Sequence, residues 1–94
     1  MIKERYTNIV CLLISCTYKR TTTNGNSIYN IIILMCDIVN KEYKVYNGVL
    51  KNGLPSSTLK TDTENGYTPK KVQVNFYITD KNKVVFTDVD YWKE

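Results

Sequence analysis

Asn24-Gly25 stands between two long runs of β-forming residues, and it constrains the fold more than any other feature of the chain. Both residues tolerate positive φ, so the pair is among the strongest short hairpin signals. The run before it, 6–20, reads "YTNIVCLLISCTYKR", and the run after it, 27–39, reads "SIYNIIILMCDIV". The first is apolar through its middle, which suits a central strand covered on both faces or one that bends. Asn40-Lys41 makes a second tight turn into 42–50, "EYKVYNGVL". Alternation there puts Tyr43, Val45, Asn47 and Val49 on one face and Glu42, Lys44, Tyr46 and Leu50 on the other. Gly48 inside this strand predicts a bulge or a sharp bend.

Residues 51–70 form a polar connection that holds two of the glycines and both prolines, with at most a helical turn near "SSTLK" and no amphipathic helix. A fourth run, 71–79, alternates cleanly, with Val72, Val74, Phe76 and Ile78 inward and Lys71, Gln73, Asn75 and Tyr77 outward. After the turn "DKNK", a fifth run covers 84–92. Three strands in a meander, a long crossover and a closing hairpin predict an all-β fold. The best fit is a five-stranded antiparallel Greek-key barrel of the OB type, with a long polar loop between strands 3 and 4 in place of the usual helix. An open five-stranded sheet or a β-sandwich is the rival architecture.

The 94 residues are one domain's worth, 1–94, with room for a single core. The chain has no histidine, no glycine-rich phosphate loop and no G-x-S-x-G, so no catalytic constellation is present and no enzyme is expected. Asp88 and Asp90 share one strand face but have no third ligand nearby in sequence, so no metal and no cofactor is expected. Cys11, Cys16 and Cys36 form no C-x-x-C pair. On a regular strand Cys11 and Cys16 point to opposite faces. An odd number of cysteines in apolar runs reads as buried thiols in a reducing, cytoplasmic compartment. "MIKER" followed by "NIVCLLISC" has the look of a lipoprotein signal ending at Cys16, but its apolar core is short for one. "IIILMC" is far too short to span a bilayer.

The net charge of +4 is unevenly distributed: residues 1–51 hold seven Lys/Arg and three Asp/Glu, whereas 52–94 hold six of each. Basic residues in that first part interleave with tyrosines, a mixture that suits single-stranded nucleic acid. Cations follow the phosphates while rings stack on unpaired bases. On an OB-type barrel the binding face is strands 2 and 3 with the loops joining strands 1–2 and 4–5. The candidate nucleic-acid contacts are therefore Tyr18, Lys19, Arg20, Tyr29, Tyr43, Lys44, Tyr46, Lys51, Lys81 and Lys83. The same residues also have plain structural uses. Tyr29, Tyr43 and Tyr46 suit half-buried strand positions, and Lys41 and Lys44 suit the guarding of a sheet edge.

With "NGNSIY", "LMCDIVNKEYKVYNGVLKNGLP" and the last hairpin in view, the chain resembles the single-stranded DNA-binding proteins of filamentous bacteriophages, the gene V protein class. The Gly-x-x-Tyr step of that family is one residue longer here, as "GNSIY". Glu42-Tyr43 matches its Glu-Tyr pair, and Gly53 and Pro55 match its Gly-x-Pro element. The resemblance implies a small homodimer, encoded by a phage or mobile element, that coats single-stranded DNA in the host cytoplasm without sequence preference. It would make Tyr29 and Tyr43 the contact tyrosines and Lys19 and Arg20 the phosphate contacts. The tip "DKNK" lacks the aromatic that the family carries there. The alternative class is a non-enzymatic protein-binding module, such as a phage-encoded inhibitor of a host enzyme, in which tyrosines would anchor an interface.

Overall fold

The structure is a computed structural model, and it describes residues 1–51, 57–66 and 69–92. The strands are β1 (Ile2–Thr21), β2 (Ser27–Asp37), β3 (Glu42–Lys51), β4 (Lys70–Thr79) and β5 (Val84–Tyr91), and one helix, α1 (Ser57–Glu64), lies between β3 and β4. The fold is all-β, and its five strands close in a ring in the order β1-β2-β3-β5-β4. Neighbours are antiparallel except β3 and β5, which run parallel and pair only at Val49–Val85 and Leu50–Phe86.

β1 makes the closure possible because it serves two neighbours. Ile2 to Leu13 pair with β4, and Leu12 to Thr21 pair with β2. A strand shared in this way must bend, and irregularities fall between Tyr6 and Ile9, Leu13 and Ser15, and Tyr18 and Arg20. Each extra residue kinks the strand and raises its twist. Asn8 absorbs one of these bends at φ 55°. The Leu13/Ser15 shift also resets the alternation. Cys11 is therefore buried and Cys16 packs against the same core, not on opposite faces as a regular strand predicts. Both thiols are free, and burial pushes Cys11 up to about 12 and Cys16 to about 11.

The core comes from the inward residues of every strand: Leu13, Ile31, Ile33, Leu50, Val72, Val74, Phe76, Phe86 and Val89. Phe76 stacks on Tyr6 at 4.7 Å and meets Phe86 at 5.2 Å. The predicted alternation of 71–79 is observed, and in β3 it is the Tyr46/Leu50 face that turns inward.

Two local expectations are corrected. The connection between β3 and β4 is not simply a polar loop, because α1 occupies its middle and drives Leu59 to 0% exposure. One apolar anchor in eight residues leaves no amphipathic period to read; the helix is held by that anchor's tertiary burial. Gly48 is not at a bulge, since the β2–β3 register runs unbroken from Ile28–Lys51 to Asp37–Glu42. It is a place of close approach: a Cβ there would sit 2.4 Å from the Val84 carbonyl oxygen.

The Asn24-Gly25 hairpin forms, but with a wider loop than a two-residue turn. Thr22 N–H donates to the Asn26 carbonyl at 2.8 Å, the Thr22 hydroxyl accepts from Asn26 N–H, and Gly25 takes φ 85°. Among the described residues no helix is long and apolar enough to cross a membrane.

Candidate functional site

Three shallow grooves of different chemistry lie on the described residues of the ring. The largest, about 440 Å³, runs over β2 and β3 to the start of β5 and is lined by Lys19, Asn30, Asn47, Gly48, Val49, Asn82, Lys83, Val84 and Val85. It exists because β5 begins only level with Gly48, so β3 and β5 meet along a short seam with a step beside it. Among the described residues its charged lining is two lysines and no carboxylate. Arg20 and Lys51 extend the basic side one row further, since both lie opposite Ile28 in the register.

The β4–β5 turn that closes this groove is tied down from several directions. Thr79 N–H donates to the Lys83 carbonyl at 2.9 Å, the Thr79 hydroxyl accepts from Lys83 N–H at 3.1 Å, and Asn82 N–H donates to the Thr79 carbonyl at 2.9 Å. Lys3 Nζ donates to Asn82 Oδ1 at 3.3 Å, and Asp80 N–H donates to the Met1 carbonyl at 3.0 Å. Asn82 itself sits at φ 63°, a conformation asparagine tolerates better than most residues. Lys83 is therefore presented from a fixed backbone.

Of the ten candidate contacts, Lys19 and Lys83 line this groove, and Arg20 and Lys51 flank it. Lys81 is exposed on the adjoining turn. Tyr18 is exposed next to Lys19, its hydroxyl bonded to that of Thr21 and its ring edge-on to Tyr29 at 5.8 Å. Tyr29 is corrected from contact to core: it is only 6% exposed, because its parity on β2 matches Ile31 and Ile33. Tyr46 is likewise turned inward, packing on Tyr6 and Phe76. Tyr43 and Lys44 do not reach a common face, since the β2–β3 register is unbroken there. Tyr43 stands 73% exposed on the outer face, while Lys44 pairs with Asp37 at 3.6 Å. Hydrogen bonds from the Asn40 side chain and backbone, with Lys44 adding to them, hold the Asp37 carboxyl below its ordinary range.

Sequence reasoning passed over Asn30, Asn47 and Asn82, which supply the amides of the groove. The available signal was that asparagine is depleted in strands, so two on adjacent strands are conspicuous.

The second groove, about 180 Å³, lies on the β1–β4–β5 side and is lined by Asn8, Gln73, Asn75, Asp88, Asp90 and Tyr91. Gln73 faces Asp90 and Asn75 faces Asp88 across the ladder. Asn75 Oδ1 accepts from Asn8 N–H at 2.6 Å, and Asp90 Oδ1 accepts from Tyr91 N–H at 2.8 Å. Among the described residues no group of three His, Cys, Asp or Glu side chains could hold a metal.

The third groove, about 210 Å³, is apolar and is lined by Val10, Cys11, Leu12, Leu34, Cys36, Tyr43 and Lys71. The first run, read as a strand covered on both faces or one that bends, does bend and leaves one face open, with Val10, Leu12 and Ile14 each near 40% exposed. In comparisons with known proteins, no family model, no curated protein and no solved structure matches the chain.

Proposed function

We propose that the chain is an OB-type Greek-key barrel that binds single-stranded nucleic acid, without sequence preference, in the groove between Lys19 and Lys83. The observation that carries this reading is the coincidence of place and charge. The groove lies on the β2–β3 face between the first and last hairpins, and among the described residues its lining has cations and amides but no carboxylate. The strand order, the parallel β3–β5 pair and a helix between β3 and β4 support the OB assignment.

The geometry alters how a strand would be held. Among the described residues no aromatic lines the groove, so phosphates rather than bases supply most of the contact. Lys19, Lys83, Arg20 and Lys51 give four cations along one path, with Asn30, Asn47 and Asn82 as hydrogen-bonding partners, while Tyr18 pairs with Tyr29 on the opposite face of the sheet. Fluorescence titration with oligo-dT tests this reading. If all four cations neutralise phosphates, log affinity falls with log salt at a slope of about −3, from roughly −0.7 per phosphate. Absence of binding at low salt overturns it.

A second reading, a protein-binding module, draws on the apolar groove around Tyr43. Exposed apolar patches rimmed by polar residues are common at protein interfaces. Under it, retention of a host protein is insensitive to nuclease and is lost on Tyr43→Ala or Leu12→Ser.

A further inference from the structure

The ring leaves several strand stretches with a neighbour on one side only, and the outer part of β3 is one of them. β3 is paired with β2 along its whole length, but its other edge meets β5 only at Val49 and Leu50. Among the described residues, Glu42 to Asn47 have no strand on that edge. An unpaired edge presents a row of backbone donors and acceptors to any second strand. Natural edges are commonly guarded by a lysine, and Lys44 holds that position, yet it is drawn back to Asp37 of its own hairpin. The flanking side chains are open as well, with Tyr43 73% and Val45 65% exposed.

The charges on this edge are unbalanced within one molecule. Asp37 lies directly opposite Glu42 in the register, and like charges in that position repel. Among the described residues Lys44, on the same face of the ladder, is the one cation in an ion pair with either carboxylate. Antiparallel pairing of β3 with a second copy, centred on Tyr43, removes the imbalance. It sets Glu42 of each copy opposite Lys44 of the other, Lys41 opposite Val45, and Tyr43 opposite Tyr43.

We propose that the free edge of β3 is a homodimer interface, in which two copies join antiparallel about a two-fold axis at Tyr43 to make one continuous sheet. A two-fold contact of this kind must be self-complementary. The sequence Glu42-Tyr43-Lys44 is complementary to itself when reversed. Backbone hydrogen bonds supply the affinity and the Glu42–Lys44 pairs set the register, as in other strand additions. The proposal is independent of the basic groove, which lies toward the β5 end of β3.

Light scattering of the full chain across a concentration series provides the test. The wild type forms a dimer. Glu42→Lys, which sets lysine opposite lysine, and Lys44→Glu, which sets two carboxylates opposite, each raise the dissociation constant at least about tenfold. The double exchange Glu42→Lys/Lys44→Glu restores association. In a Cys36→Ser background, Tyr43→Cys oxidises to a disulfide-linked dimer and Val45→Cys does not. Circular dichroism checks that each variant is folded; all substitutions are on exposed positions. A wild type that stays monomeric, single reversals without effect, a double exchange that fails to restore the dimer, or equal cross-linking at 43 and 45 overturns the proposal.

Discussion

The groove over β2, β3 and β5 and the groove over β1, β4 and β5 are built from the same kind of material with opposite sign. Each is a shallow trough on the outside of the ring, lined by amides and two like charges: Lys19 and Lys83 in one, Asp88 and Asp90 in the other. They differ in what lies beneath. The acidic groove rests on the β4–β5 ladder, paired from Val72–Tyr91 to Ile78–Val84, whereas the basic groove straddles the β2–β3 ladder and a β3–β5 seam of two pairs. The net charge therefore says little about either surface, because strand register collects the charges into separate places. The basic surface is also the one whose floor is least braced by its own backbone.

The largest expected effect attacks that floor. Gly48→Ala forces a Cβ against the Val84 backbone, which cannot swing aside as a flexible side chain would. A loss of about 3 kcal/mol or more is expected, at the upper end of overpacking costs. It should appear in the urea midpoint. In hydrogen exchange, the amides around Val49 and Val85 lose protection before those of the β4–β5 ladder; equal loss in both places would abolish the distinction drawn between the seam and the ladder.

Next in size is the reversal of the groove lysines. Lys19→Glu combined with Lys83→Glu should weaken oligo-dT binding about a hundredfold at low salt, equally for all sequences. The neutral pair Lys19→Ala/Lys83→Ala should flatten the salt slope by about 1.4. Base-dependent losses would mean that the groove reads bases after all.

A smaller effect belongs to the acidic side. Asn75→Ala removes the acceptor for Asn8 N–H and should cost about 1 kcal/mol in denaturant unfolding, with oligo-dT affinity unchanged.

Both grooves share the core under β1, and alkali probes it. The Cys11 and Cys16 thiols ionise well above their ordinary value of 9.0 because burial disfavours the thiolate. The unfolded chain thus releases protons that the folded chain still holds. Stability is full below about pH 9 and declines as the pH rises through the folded-state values. Tyr6 acts in the same direction, held protonated chiefly by its hydrogen bond to Glu4, with Tyr46 and burial adding. Cys11→Ala should reduce this decline relative to the wild type, and an unchanged slope would refute the assignment. Last and smallest, Asp88→Asn/Asp90→Asn should change oligo-dT affinity by less than about twofold, since screened charges on the far face contribute little.

Period and turn chemistry made most of the fold legible. Asn24-Gly25 marked a real hairpin, and the five predicted runs match the five strands to within about two residues, apart from the start of β1. The inward face of 71–79 followed from alternation alone, since the side-chain period of a strand is two. The site was half legible. Lys19, Arg20, Lys51 and Lys83 do gather on one side, but Tyr29 and Tyr46 went to the core and Lys44 to Asp37. A tyrosine's ring suits either a core or a ligand, and only the parity of its strand relative to the closed ring selects between them.

By itself, then, the sequence determined which segments are strands, where the chain turns, and that charge is concentrated in the first half, because these depend on neighbours in the chain. Tertiary structure decided the rest. The bulges in β1 put Cys11 and Cys16 on one side, burial of Leu59 held a helix that no periodicity announces, and closure of the ring set Gly48 against Val84. Each depends on contacts between residues far apart in sequence.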